Sequence, residues 1–215
     1  MVHELSKQHS VFNQFIKEIR DEKIQKDRMR FRRNLERAGE IMAYEISKTF
    51  DYAMEEVTTS LGIAEMEVPA TRPLICSIMR AGLPMHQGFL NYFDMADSAF
   101  VAAYRKHHKG GNFEIEVDYV SSPLIDDRVV ILVDPMLATG ASVEMVYKKL
   151  LGKGTPSKVH IVSLIATDSG ISHVRSKLPA GITFWVGAID KELTAQSYIV
   201  PGLGDAGDLA YGGKH

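Results

Sequence analysis

The sequence predicts an α/β protein built on an open, mainly parallel sheet with helices on both faces, preceded by helices and carrying a protruding β-arm. Three observations predict it. The first third of the chain is charged and helical in pattern. From residue 73 onward, short apolar runs rich in β-branched residues alternate with helical patterns, as strand–helix–strand units do. The run Val129-Val130-Ile131-Leu132-Val133 is apolar throughout, which suits a parallel strand covered on both faces.

Residues 7–26 place Val11, Phe12, Phe15, Ile16 and Ile19 at helical spacing. A second helix is expected over 28–50, where Leu35, Ala38, Met42 and Ile46 share one stripe. Arginines crowd 27–37, and the plainer reading of that run is a solvated helix face. Strands are expected at 73–79, 99–104, 129–133, 159–166 and 182–189. Helices are expected between them at 82–93, 142–151 and 169–178, the middle one striped by Val143, Val146, Tyr147, Leu150 and Leu151 and stopped by Gly152. Residues 106–122 hold Gly110-Gly111 and then alternate Phe113, Ile115, Val117 and Tyr119 with polar residues, the pattern of an exposed arm or hairpin. Residues 197–215 are too rich in glycine for a core element and read as an ordered loop or a tail. Without an internal repeat or a low-complexity linker, residues 1–215 are expected to form one domain.

Composition narrows the function classes. The formal net charge of −2 gives no basic excess, so no nucleic-acid partner is expected. The single cysteine, Cys76, rules out an intrachain disulfide and fits a reducing compartment. It lies in an expected strand and reads as inert core, as does the lone Trp185. The first residues lack a basic segment followed by an apolar run, and no apolar stretch is long enough to span a bilayer. The expectation is a soluble cytoplasmic protein with no membrane partner.

The most informative stretch is Asp134-Pro135-Met136-Leu137-Ala138-Thr139-Gly140-Ala141-Ser142, which leads from the apolar strand straight into a helix. A helix N-terminus presents unpaired N–H groups and the positive end of the helix dipole, and a phosphate there accepts several of those bonds. Gly140 lets the backbone come close, and the Thr139 and Ser142 hydroxyls add donors. Asp134 ends the strand on the side where ligands bind in open α/β sheets. By composition alone, a helix cap with a turn glycine explains these residues as well as a phosphate site does.

The whole string resembles the PRPP-binding loop of the uracil phosphoribosyltransferase family, where PRPP is phosphoribosyl pyrophosphate. It lacks the Gly-Lys pair of a nucleoside-triphosphate loop. Three more stretches resemble that family in the same order. Ile78-Met79-Arg80-Ala81-Gly82-Leu83 looks like its pyrophosphate loop, and Tyr104-Arg105 looks like its second PRPP-contacting arginine. Tyr198-Ile199-Val200-Pro201-Gly202-Leu203-Gly204-Asp205-Ala206-Gly207-Asp208 looks like its uracil-binding hood, and is the most specific of the four. The likeness runs from about residue 72 to 213, with weaker agreement at Ala43-Tyr44-Glu45. Ala141 and Pro84 replace glycines usual in the family, and residues 106–120 and 209–215 depart from its pattern. A methyl group at Ala141 is tolerable where φ is negative, and proline suits the first turn of a helix.

The resemblance implies a type I phosphoribosyltransferase fold and an enzyme that converts uracil and PRPP to UMP and pyrophosphate in pyrimidine salvage. It implies catalytic roles for Asp205, Arg80 and Asp134. PRPP contacts are implied for Arg80, Arg105, the whole run from Asp134 through Ser142, and Asp205. Uracil contacts are implied for Ile199, Gly204, Asp205 and Ala206. Guanidinium forks match phosphate oxygens, which suits Arg80 and Arg105 to a leaving pyrophosphate, although a lone arginine is more often a surface ion-pair residue. Mg²⁺ is expected to arrive with PRPP rather than on direct protein ligands. Family members are often dimers or tetramers, so a homo-oligomer is expected, and some respond to GTP. Two other readings remain open: a phosphoribosyltransferase for another base, against which the 198–208 stretch argues, and a nucleotide sensor without catalysis, against which Arg80, Asp134 and Asp205 argue.

Overall fold

The computed structural model describes residues 1–107 and 113–213; residues 108–112, 214 and 215, and the side chains of 104–116, lie outside the described residues. The chain opens with β1 (Val2–Glu4), α1 (Phe12–Arg20) and α2 (Arg28–Ser47). The helix expected over 7–26 is interrupted. Asp21 accepts the backbone N–H groups of Lys23 at 2.9 Å and Ile24 at 3.0 Å, and this side chain takes the place of a continuing helical ladder. On α2, Leu35, Ala38, Met42 and Ile46 are fully buried, as the stripe predicts. The arginine run is largely the solvated face expected, with Arg28, Arg30 and Arg33 exposed. Arg30 pairs with Glu18 at 3.1 Å, Arg33 with Glu36 at 2.7 Å, and Arg32 donates to the Ala210 carbonyl at 2.7 Å.

An unexpected hairpin follows, β2 (Tyr52–Thr58) and β3 (Ile63–Pro69), paired only with each other. The alternating units then run β4 (Leu74–Met79), α3 (Leu83–Leu90), β5 (Asp97–His107), β6 (Phe113–Ser121) and β7 (Val129–Val133). They continue through β8 (Met136–Leu137), α4 (Ala141–Leu150), β9 (Lys158–Thr167), α5 (Asp168–Lys177) and β10 (Thr183–Asp190). The chain closes with β11 (Glu192–Leu193), β12 (Ile199–Val200) and α6 (Ala206–Tyr211). Each strand and helix expected after residue 73 is present within a few residues of its expected ends.

The main sheet runs β1-β10-β9-β7-β4-β5-β6, with β8 paired to β9. All its pairs are parallel except β5 with β6. The arm expected at 106–122 is therefore the antiparallel edge of this sheet. From β4 the chain builds outward through β5 and β6, then returns to lay β7 on the other side of β4. That reversal between β4 and β7 is the topological switch point, where open α/β sheets bind ligands.

Alternation along β7 feeds two cores. Ile131 and Val133 pack in the cluster with α1, α2 and α3, whereas Val130 and Leu132 pack in the cluster with α4 and α5. Cys76 is fully buried, and burial pushes its thiol up to about 12, so it stays a protonated core residue. Trp185 is buried too. Its Nε1 donates to His160 Nδ1 at 3.1 Å, and His3 of β1 stacks on its ring at 4.0 Å with an 11° tilt. Burial pushes His160 down to about 4, so it is neutral at pH 7. The C-terminal stretch is not a tail: Ile199, Leu203, Ala206 and Ala210 are buried in the same cluster as α1 and α2. A few apolar side chains set between the glycines anchor it to that core.

The α2–α3 crossing is close because two positions lack a Cβ. A Cβ at Gly88 would lie 2.1 Å from the Glu36 carbonyl, and one at Gly39 would lie 2.5 Å from that of Met85. Backbone is on the far side of both contacts, so the helices would have to separate. Gly88→Ala gains helix propensity of about 1 kcal/mol but meets an overpacking cost of about 1–3 kcal/mol. The clash is with backbone, so the second effect is expected to win. The measurement is urea denaturation, in which a lower midpoint at unchanged m-value is expected and an unchanged or higher midpoint contradicts the packing argument.

Candidate functional site

At the switch point the first residues beyond β4 and β7 are Arg80 and Asp134. Ser77 and Val133 are register partners, so the two strands end side by side. The loop after β7 is pinned from below. The Asp134 amide donates to Val162 at 3.1 Å, and the Pro135 carbonyl accepts from Leu164 and Ile165, both at 3.0 Å. β8 then pairs with β9 through Met136 and Leu137. The Asp134 carboxylate accepts the Met136 amide at 3.3 Å.

Gly140 has φ +80°, and a Cβ there would meet the Gly170 carbonyl at 2.7 Å. Both left-handed geometry and close approach demand glycine at this position. Ala141 begins α4 and is not among the residues with positive φ, which is why its methyl group is accommodated. Pro84 lies in the first turn of α3, as expected. Glu144, in the first turn of α4, bonds Lys148 at 2.5 Å and His173 at 2.6 Å. These two partners, Lys148 foremost, hold its carboxyl below the ordinary range and offset its charge beside the loop.

Gly82 completes the loop after β4. A Cβ there would stand 2.7 Å from both Ser77 Oγ and the Val133 carbonyl. The Met79–Arg80 peptide is cis. Arg80 Nη2 donates to Asp208 Oδ1 at 2.9 Å and to the Gly212 carbonyl at 3.1 Å, while its buried Nε has no partner among the described residues.

The C-terminal segment arches over these loops. β11 and β12 form a small hairpin, a cis Val200–Pro201 bond follows, and Asp205 caps α6 by accepting the Asp208 amide at 3.0 Å. The exposed Asp205 carboxylate therefore has a structural duty as well as a place in the site.

One cavity of about 560 Å³ joins these pieces. Of the residues that the resemblance singles out, Arg80, Asp134, Met136, Leu137, Ala138, Thr139, Gly140, Ser142, Ile199, Gly204, Asp205 and Ala206 line it. Pro135 and Ala141 do not. Pro135 is buried beneath the loop, where its carbonyl holds β9, and Ala141 is spent on starting the helix. The Arg105 side chain lies outside the described residues. Tyr198, the first residue of the hood stretch, lines the cavity too, and so do Gln196 and Ser197, which were not among the expected contacts. Their signal was the turn made as Thr194 and Tyr198 close on each other at 2.8 Å, a pairing with no periodicity to announce it. Asp208 was missed as the partner of Arg80, although it stands one helical turn beyond Asp205. Among the described residues no three His, Cys, Asp or Glu side chains gather as a metal-binding set. The wall does offer two carboxylates, Asp134 and Asp205, which are hard oxygen donors of the kind Mg²⁺ takes, mostly through water.

Residues 6–213 match the model of a family described as uracil phosphoribosyltransferase. A uracil phosphoribosyltransferase of Porphyromonas gingivalis is 54% identical over 210 residues, covering 98% of this chain and 97% of that protein. One of Pyrococcus furiosus is 36% identical over 202 residues, covering 93% and 85% respectively. Among solved structures, the AQ2163 protein from Aquifex aeolicus superposes with a TM-score of 0.87 at 28% identity, covering 99% of this chain and 98% of that one.

Arg80→Ala is expected to weaken binding of inorganic pyrophosphate. A charged hydrogen bond to phosphate is worth about 1.5–3 kcal/mol, or about 10- to 100-fold in Kd. Titration calorimetry reads it directly, and an unchanged Kd would remove Arg80 from the anion site.

Proposed function

This chain belongs to the uracil phosphoribosyltransferase family, and on that premise we propose how its cavity converts uracil and PRPP to UMP and pyrophosphate. It is a phosphoribosyltransferase. The C–O bond from the ribose anomeric carbon to pyrophosphate breaks, and a bond from that carbon to a ring nitrogen of uracil forms as the nitrogen gives up its proton. Positive charge grows on the sugar as the leaving group departs, so the protein has to hold a highly charged donor and stabilise the departing anion.

The observation that carries this reading is the single cavity walled by the mid-chain phosphate loop on one side and by the C-terminal segment on the other. In it, the N-terminus of α4, with Thr139, Gly140 and Ser142, receives a phosphate of the donor. Arg80 and the Ala81–Gly82 backbone receive the pyrophosphate; the resemblance assigns a second guanidinium to Arg105, whose side chain lies outside the described residues. Asp134 faces the ribose hydroxyls. Mg²⁺ supplies charge neutralisation of the pyrophosphate when it is bound, and Asp134 and Asp205 would hold it through water. Ile199, Gly204, Asp205 and Ala206 read uracil largely through backbone groups. Cytosine offers the opposite donor and acceptor pattern at N3 and C4 and would leave those groups unpaired. A spectrophotometric screen of bases with Mg·PRPP is expected to show turnover of uracil alone. Turnover of a purine or of cytosine in its place would overturn the reading.

The base-reading groups offer little to free uracil, and bound PRPP would form much of the pocket floor. PRPP is therefore expected to bind first. Calorimetric titration of uracil should show weak binding to the free enzyme and tighter binding beside Mg²⁺ and a non-reactive PRPP analogue. Equal affinities would mean that the hood is preformed.

We also read the protein as a homo-oligomer. Tyr52, Met54 and Ile63 on one face of the hairpin β2–β3, and Val57 and Met66 on the other, are exposed apolar side chains, as on an arm awaiting a second copy. Val57→Lys with Met66→Lys should lower the mass found by sedimentation equilibrium. A wild-type monomer would contradict this. The resemblance also raised a GTP effector, for which the described residues assign no site. No described helix is long and apolar enough to cross a membrane. A cytoplasmic location is our reading, supported by the single buried free cysteine.

A further inference from the structure

The cavity wall takes its C-terminal part from two separate stretches, 196–199 and 204–207. The turn between them does not touch the cavity, yet it fixes the angle at which they meet. Its pivot is Gly202, buried and at φ +54°, where a Cβ would collide with the Ile199 carbonyl at 2.1 Å. Both backbone polar groups of Gly202 are gripped by one ion pair. The Gly202 amide donates to Asp190 Oδ2 at 2.8 Å, and its carbonyl accepts from Arg20 Nη1 at 2.9 Å. Arg20 and Asp190 close the ring with two further bonds, Nη1 to Oδ2 at 2.7 Å and Nη2 to Oδ1 at 2.8 Å.

The pair joins three distant parts of the chain: the last residue of α1, the last residue of β10 and the turn after β12. Asp190 is 8% exposed in its side chain and Arg20 22%, so the bonds are largely shielded from water. Burial by itself would raise the Asp190 carboxyl. The Arg20 bond, the Gly202 amide and the Arg20 charge outweigh it and hold that carboxyl below its ordinary value. A guanidinium is needed here. The planar fork meets the two carboxylate oxygens with near-parallel bonds from two nitrogens while Nη1 also reaches the carbonyl, and the single nitrogen of an ammonium does not reproduce that bidentate geometry.

We infer that Arg20 and Asp190 are positioning residues for base recognition: by clamping Gly202 they set the spacing of the two halves of the hood, and with it the affinity for uracil. Neither residue lines the cavity. The phosphate loop hangs from β7 and is held by bonds of its own, whereas Arg80, at the end of β4, bonds Asp208 and Gly212 of the C-terminal segment. Both uracil-reading stretches flank the clamped turn, while most donor contacts lie on the phosphate loop, so loosening the clamp should act on the base far more than on the donor. This inference rests on the assignment of the hood to uracil.

The test is steady-state kinetics on Arg20→Gln, Arg20→Lys and Asp190→Asn, with each substrate varied in turn. Wild-type turnover of uracil with PRPP is measured first, and its absence would sink the assignment of the reaction rather than the clamp. With that activity in hand, KM for uracil is expected to rise about tenfold, the effect of losing one charge-assisted hydrogen bond. KM for PRPP should stay within about twofold of wild type on the same scale. The lysine variant should behave like the glutamine variant, because the fork and not the charge is what is lost. The ratio of the two KM values is independent of how much of a sample is folded, so a partly unfolded variant still gives an answer. A parallel rise in both KM values, an unchanged KM for uracil, or full rescue by lysine would each overturn the inference.

Discussion

A parallel strand covered on both faces has nowhere to place a charged group until it ends. β4 and β7 obey that constraint, and the rest of the molecule follows from it. Their side chains are divided between two apolar clusters, one under α1, α2 and α3 and the other under α4 and α5. The first charged residues on the two strands are Arg80 and Asp134, both at the carboxyl ends and on neighbouring strands. Because the chain reverses its direction of growth between these strands, the loops diverge there and leave a crevice. A polar site is thus forced to the rim of an apolar slab. Glycines at positions 82 and 140 then let backbone stand where side chains would have filled the space.

The C-terminal cover is ordered by other means. It contributes few apolar residues, and it is held by charged side chains reaching backbone groups. Arg32 takes the Ala210 carbonyl, Arg80 takes that of Gly212, and Arg20 with Asp190 takes both groups of Gly202. Irregular backbone in a buried place carries polar groups that have to be matched, and charged partners match them strongly. The resulting cover has a defined shape but rests on a small number of bonds.

These two modes of ordering explain what the sequence made legible. The sheet and its helices could be read because burial on two faces leaves local signatures: the unbroken Val129–Val133 run and the α2 stripe at Leu35, Ala38, Met42 and Ile46. The phosphate loop was legible because strand, loop and helix are contiguous. β1 was not, since three residues carry no period and its stability comes from pairing with β10 and stacking on Trp185. The hairpin β2–β3 escaped because largely exposed strands need not alternate. The break at Asp21 escaped because a side chain capping its own turn looks like any polar helix residue. Arg20, Asp190 and Asp208 act across long sequence separations, and nothing local to any of them names its partner.

The surroundings of Trp185 have an optical consequence. It is the only tryptophan, it lies off the cavity wall, and it is sandwiched into the β1 edge by His3 while its indole N–H is held by His160. Intrinsic tryptophan emission therefore reports on the β1–β10 edge and is nearly blind to occupancy of the cavity. Fluorescence can follow detachment of the first residues of the chain, whose His3 stacks on the indole. A ligand titration needs an extrinsic dye or heat as its signal.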